Sequence, residues 1–376
     1  MPVRFTTVRL KVITALTCLI SYFSFGQNTD YYLYIGTYTR QTSEGIYVYQ
    51  FNSKTGDFKP VSITKGTNPS FLSISSDQRF LYALAGMKGD SVKAFAIEKP
   101  SHHLTLLNSQ SLDGSFGACH LAVDKTGRWL IVGNYGSGSL NLLPIQPDGM
   151  LGKVKQTIAH EGKSINAERQ EKPHVHSINI SPNNKDVFVP DLGTDKIMTY
   201  ALNTETGELA NGKIPFTAVA AGSGPRHFTF HPNGKWTYVI QELNSTVTAF
   251  QYVDGALEAF QTAKTLPEEY TGLNWSADIH ISPDGKSLYA SNRAHESLTI
   301  FSIDKKTGKL TLAGRQPVLG KTPRNFAIDP TGNFVLVANQ DSDNIVIFKR
   351  DHKTGKLTPT GKEIVISQPV CLKFIP

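Results

Sequence analysis

Residues 225–244 read PRHFTFHPNGKWTYVIQELN. The run alternates apolar and polar residues, breaks at His-Pro-Asn-Gly, and resumes with a denser apolar run ending in Gln-Glu-Leu-Asn. That is a strand, a tight turn and a second strand. The same shape recurs at PSFLSISSDQ from Pro69, ACHLAVDKTG from Ala118, VHSINISPNN from Val175, SADIHISPDG from Ser276, PRNFAIDPTG from Pro323 and PVCLKFIP from Pro369. A third apolar run follows each complete unit, as in TVTAFQY and SLTIFSI. A glycine turn then leads to a fourth, as at Glu205-Thr-Gly, Lys306-Thr-Gly and Lys353-Thr-Gly.

Four antiparallel strands repeated about every 45–50 residues are the pattern of a β-propeller blade. Counting predicts an all-β, seven-bladed β-propeller. The N-terminal YLYIGTYT, GIYVYQF and FKPVSI supply three strands of a blade, and the C-terminal VCLKFI aligns with the missing first strand. The last strand should therefore complete the first blade and close the ring, leaving few open edges. A single propeller domain is expected over residues 27–376 of the 376-residue chain.

Residues 1–26 read as a secretory signal peptide: Arg4, Arg9 and Lys11 precede an apolar run from Val12 to Phe25, with Ser24 and Gly26 before Gln27. Export to the periplasm or medium is the expectation, with no stable membrane span after cleavage. Cys18 lies in a poor lipoprotein context. The formal charge of +7 falls to about +4 without this segment. That is no nucleic-acid footprint, although a basic groove for an anionic substrate remains open. The other two cysteines, Cys119 and Cys371, fall in different repeats, so a disulfide between them is not expected.

Strand geometry predicts where a site would lie. The start of strand one and the end of strand two share one rim of the central channel, where rigidly held strand ends carry function. The second residue of strand one reads Ser70, Cys119, His176, Arg226, Ala277, Arg324, Val370, and the third Phe71, His120, Ser177, His227, Asp278, Asn325, Cys371. Strand two ends on Asn134/Tyr135, Asp191/Leu192, Gln241/Glu242, Asn292/Arg293 and Asn339/Gln340. The ring is polar and ionisable. Each member also has a packing role open to it: salt bridging between blades for the arginines, orientation of neighbours for Asp191 and Asp278, packing for His227. His174 and His176 share one strand face but lack an evident third metal ligand, so no metal is expected. His102 and His103 should lie solvated in an edge turn.

GPRH with FHPNGKWTYVIQELN, SPDGKSLYASNR at 282–293 and TPRNFAIDPTGNFVLVANQ at 322–340 resemble the 6-phosphogluconolactonase-type lactonase family, which also includes carboxy-cis,cis-muconate cyclase. The resemblance runs from IGTYT at 35–39 to the final strand. It implies a seven-bladed lactonase without a cofactor, whose site uses His176, Arg226, Glu242 and Arg293. Arg324 and Asn325 fit a later Pro-Arg motif. With Asn292, Gln241, Asn134 and Asp191 from the rim, they make the expected substrate-binding set. Lactone hydrolysis needs an activated water and a stabilised oxyanion. Glu242 would be the base, His176 an acid or orienting group (or itself the base), and Arg226 and Arg293 the clamp for an oxyanion, carboxylate or phosphate. The partner is then a small anionic or sugar-derived lactone, bound by a monomer. A muconate-type cycloisomerase and a non-enzymatic binding propeller are the alternative readings. The leader is the departure from the family pattern, since a phosphorylated substrate of cytosolic metabolism would not ordinarily meet an exported protein.

Overall fold

The computed structural model describes residues 1–4 and 29–375. The proposed leader therefore lies almost wholly outside the described residues. From Asp30 onwards the chain forms seven four-stranded antiparallel sheets arranged as a seven-bladed β-propeller. Blade five is typical: Pro225–Phe230, Trp236–Gln241, Thr246–Val253 and Ala256–Lys264 follow one another from the channel outwards. Blade one consists of Asp30–Thr37, Gly45–Asn52 and Phe58–Lys65, and Pro369–Ile375 pairs against Asp30–Thr37 as its innermost strand. The ring closes as the repeat count requires.

Burial grades across each blade. All six residues of Trp129–Asn134, Trp236–Gln241, Ser287–Asn292 and Phe334–Asn339 are buried, because second strands are covered on both faces by neighbouring blades. Outer strands such as Phe58–Lys65 alternate with solvent. The core is thus a set of interblade layers, for example Trp236, Tyr238, Ile240, Leu288 and Phe301 between blades five and six.

The recurrent glycine turns lock these layers. Gly308 has φ +72°, and a Cβ there would lie 2.5 Å from the Trp236 ring of the preceding blade. Gly56 stands likewise against Phe334, and Gly207 against Trp129. In the same joints Tyr238 donates to the Gly308 carbonyl (2.7 Å), Tyr289 to that of Gly355 (2.7 Å) and Tyr82 to that of Gly149 (3.1 Å). A left-handed residue without a side chain lets the aromatic ring and the hydroxyl reach the hairpin backbone together.

Two expectations need correction. His102 is not solvated: it is buried, stacked on Tyr32 (3.4 Å between centroids) and 3.1 Å from the Tyr34 hydroxyl. Blade four has a first strand of only two residues, Asn179–Ile180, so His174 and His176 do not share a regular strand face. Cys119 and Cys371 are both free.

Candidate active site

A bulge interrupts several first strands at one place. In blade five Pro225 pairs with Gln241 but His227 with Ile240, leaving Arg226 as the extra residue. Cys119 is extra in blade three and Arg324 in blade seven by the same one-residue shift. A bulge re-aims the side chain it carries. Here it separates two layers. Third-position side chains meet in the channel: His227 lies 5.6 Å from His120 and 6.2 Å from Phe71, ring to ring, and the second-position His176 joins them at 5.3 Å from His227. Asp278 ties this plug together, with Oδ1 2.7 Å from His227 Nδ1, Oδ2 2.9 Å from His280 Nε2, and the Asn325 amide donating to Oδ2 at 2.5 Å.

Above the plug opens a cavity of about 360 Å³. Its wall includes Glu242, Arg293, Arg324, Arg169, His176 and Tyr135, with Cys119 and Trp275 beside them and Arg40 and Lys88 towards the mouth. Glu242 is the centre of its charge. Arg226 Nε and Arg293 Nη2 each lie 2.8 Å from Oε2, and Arg169 Nη2 lies 2.5 Å from Oε1. Burial alone would raise the Glu242 pKa, but Arg293, Arg226 and Arg169 outweigh it and bring it down to about 2. The carboxylate stays ionised, and the cluster remains net cationic. Arg324 forms no ion pair among the described residues and stands 5.6 Å from the Tyr38 ring.

His176 is buried, and desolvation followed by the repulsion of Arg226 holds its pKa well below the ordinary histidine value. The ring is therefore neutral near pH 7, which suits orientation better than acid catalysis. Burial likewise pushes the neighbouring Cys119 thiol up to about 12, so it is no nucleophile at neutral pH.

The expected residues separate into wall and support. Glu242, His176, Arg293 and Arg324 reach the cavity. Arg226 does not. It is 1% exposed beneath Glu242, with Nη1 donating to the Ala277 carbonyl at 2.5 Å, so it holds the carboxylate rather than offering its fork to a ligand. Asn325 belongs to the channel plug, donating to Asp278 and accepting from the Leu372 amide. Asn134, Gln241 and Asn292 are buried against hydroxyl groups, including Ser139, Thr248 and Ser276 respectively, and do not line the cavity. Their side chains turn back into the sheet because a residue paired in the strand ladder must alternate faces, and the face they take is interblade. Asp191 accepts from the His174 and Gly193 amides and lies 2.7 Å from His160, bracing the segment that joins blades three and four.

That segment carries what the sequence reading missed. Arg169 sits in a turn whose backbone amide donates to Asn166 Oδ1 (3.1 Å). The turn is fixed by Gln170 donating to the Leu192 carbonyl (2.8 Å) and Ser164 donating to Asp195 (2.5 Å). The interval from Ala118 to Val175 is the longest between repeats, which was the available signal of an insert at the rim. Trp275 was also missed; the Arg293 guanidinium lies 4.4 Å from its ring. His174 and His176 serve different partners, His174 meeting Glu171 and the Tyr135 carbonyl.

Fold and cavity together define a closed propeller with a cationic pocket around one carboxylate at the channel mouth. A family model described as "Lactonase, 7-bladed beta-propeller" matches residues 32–374. The chain belongs to that family. It is 36% identical over 355 residues to the 6-phosphogluconolactonase of Bacillus subtilis (strain 168), covering 92% of this chain and 99% of that protein. Among solved structures, one from Bacteroides fragilis NCTC 9343 superposes with a TM-score of 0.89 at 40% identity, covering 93% of this chain and 99% of that one. The periplasmic gluconolactonase of Pseudomonas aeruginosa superposes with a TM-score of 0.87 at 33% identity, covering 92% and 99%.

Proposed function

We propose that this chain hydrolyses a sugar-type lactone, 6-phosphogluconolactone-like and carrying an anionic group, in the cavity around Glu242. The observation that supports this most is one ionised carboxylate held among arginines on the cavity wall, with a further guanidinium, Arg324, left unpaired on the same wall. Water placed at Glu242 attacks the lactone carbonyl carbon. Its proton passes to the carboxylate as the carbonyl π pair moves onto oxygen. Arg293 faces the charge that develops there, since guanidinium N–H groups suit an oxyanion. Collapse of the intermediate breaks the ring C–O bond, and the departing alkoxide takes up the proton to give the hydroxy acid. His176, neutral, orients water or substrate.

The relatives' names support a sugar lactone, and the cationic wall supports an anionic one. Residues 1–26 support export, so we place the enzyme in the periplasm or medium. We also take it to work as a monomer, because one chain supplies the whole cavity. Acid release from glucono-1,5-lactone and its 6-phosphate, followed in a lightly buffered pH-stat with purified mature protein, tests the activity. Turnover of neither overturns it. Cell fractionation tests the location, and light scattering the monomer.

A further inference from the structure

The two oxygens of Glu242 are held unequally. Oε2 accepts from Arg226 and Arg293, whose side chains are 2% and 4% exposed and which also donate to the carbonyls of Ala277 and of Trp275 and Ser276. Oε1 accepts from Arg169 alone, and that side chain is 34% exposed. The backbone around Arg169 is pinned by Asp191, Asp195 and Leu192, so the guanidinium can move while its base stays in place. Its second contact, from Nη2 to the Tyr135 hydroxyl, is long at 3.4 Å.

We propose that Arg169 is a displaceable cap on Glu242 Oε1: an anionic group on the lactone draws the guanidinium away and frees that oxygen to receive the proton of the attacking water. This rests on the lactonase reading above and adds to it a reason for preferring charged substrates. Guanidinium forks exchange one oxyanion for another at little cost, because carboxylate and phosphate present the same paired acceptors. The exchange suits Arg169 in particular, since Arg226 and Arg293 are almost wholly buried and also tied to backbone carbonyls. Arg169 acts through Glu242 and is thus a positioning residue.

The cap also affects basicity. The charged groups facing Glu242 are Arg226 of its own blade, Arg293 of blade six, Arg324 of blade seven and Arg169 of the insert. Tyr135, Cys119 and His176 are the neutral titratable neighbours. Withdrawing one cation from direct contact raises a carboxylate pKa by about one unit. Oε1 then becomes a stronger base at the moment substrate is bound.

Arg169→Gln tests this on two probes, neutral glucono-1,5-lactone and its 6-phosphate, with Arg169→Lys and Glu242→Gln alongside. For Arg169→Gln, kcat on the neutral lactone should rise severalfold, because Oε1 is then uncapped throughout, and KM for the phosphate should rise about tenfold. The preference for the phosphate in kcat/KM should collapse accordingly. The acid limb of kcat on the neutral lactone should move to higher pH by about one unit and return with Arg169→Lys. Equal losses on both substrates with an unmoved acid limb would mean a structural contact only and overturn the proposal. Full activity in Glu242→Gln would instead overturn the lactonase site itself, a distinct result.

Discussion

Glu242 Oε2 is shared by Arg226 and Arg293 at 2.8 Å each, so one carboxylate joins blades five and six at the cavity wall. The pairing carries both chemistry and architecture. Replacing the carboxylate leaves two buried guanidinium groups facing each other without a counter-ion. Glu242→Gln should therefore lower kcat by about 10²–10⁴, the range for loss of a general base. It should also destabilise the fold by about 3–5 kcal/mol, as loss of one partner from a buried ion pair does. Initial rates on a sugar lactone and urea unfolding check the two effects separately. Unchanged unfolding would show that the arginines find other acceptors.

The channel plug predicts how stability responds to pH. Burial, reinforced by Arg226, holds His176 well below the ordinary histidine range and His227 down to about 4. Both rings are neutral when folded, while the unfolded chain takes up their protons below about pH 6.5. Stability should thus fall as pH drops from about 6.5 towards 4, by up to ~1.4 kcal/mol per pH unit for each group. Glu242 acts in a lower window: its stabilising contribution is complete above its unfolded value of 4.5 and is lost as pH falls through about 2. Thermal unfolding between pH 4 and 8 reads the first window. His227→Gln should flatten that slope by about one group's share, and an unaltered slope would place the proton uptake elsewhere.

The glycine joints separate backbone strain from crowding. Gly308 and Gly234 share φ near +70°, at +72° and +71°. A Cβ on Gly308 meets Trp236, whereas one on Gly234 meets nothing within 4 Å. Gly234→Ala should cost only the left-handed penalty of about 1–2 kcal/mol. Gly308→Ala should cost that and an overpacking term of about 1–3 kcal/mol more. Equal midpoints for the two variants in urea would show that the Trp236 layer yields freely.

The ring was legible in the sequence because every blade repeats the strand-turn-strand pattern that begins at Pro225, and local alternation with Gly turns encodes it directly. Glu242, His176, Arg293 and Arg324 were legible as residues of the channel mouth for the same reason: strand ends recur at fixed offsets, and all four line the cavity. Gln241 and Glu242 share the end of one strand, yet only Glu242 reaches the cavity. The ladder turns the side chain of Gln241 into the interblade layer, where a polar rim residue can hydrogen-bond and vanish from the surface. Arg226 shows the limit of spacing more sharply, since its bulge position points it at the cavity and Glu242 then covers it. Arg169 has no counterpart in other blades, so no repeat could mark it. Only the length of the interval around it was visible.

Arg324 offers the cleanest test of what the cavity selects. Its guanidinium has Tyr38 as a neighbour and no ion pair among the described residues, unlike Arg226 and Arg293, which are both paired with Glu242. A charge left unpaired on a cavity wall binds a ligand anion without first breaking a protein contact, so its contribution should appear in binding rather than in the chemical step. Charge-assisted hydrogen bonds contribute about 1.5–3 kcal/mol, which corresponds to roughly a 10- to 100-fold change in affinity. Arg324→Ala should raise KM for the phosphorylated lactone by about that factor, leave kcat within about threefold, and change KM for the neutral lactone far less. If both substrates lost kcat instead, Arg324 would be facing the developing oxyanion, and the anion of the substrate would have to be held by Arg169 and the other cations of the lining, Arg40 and Lys88.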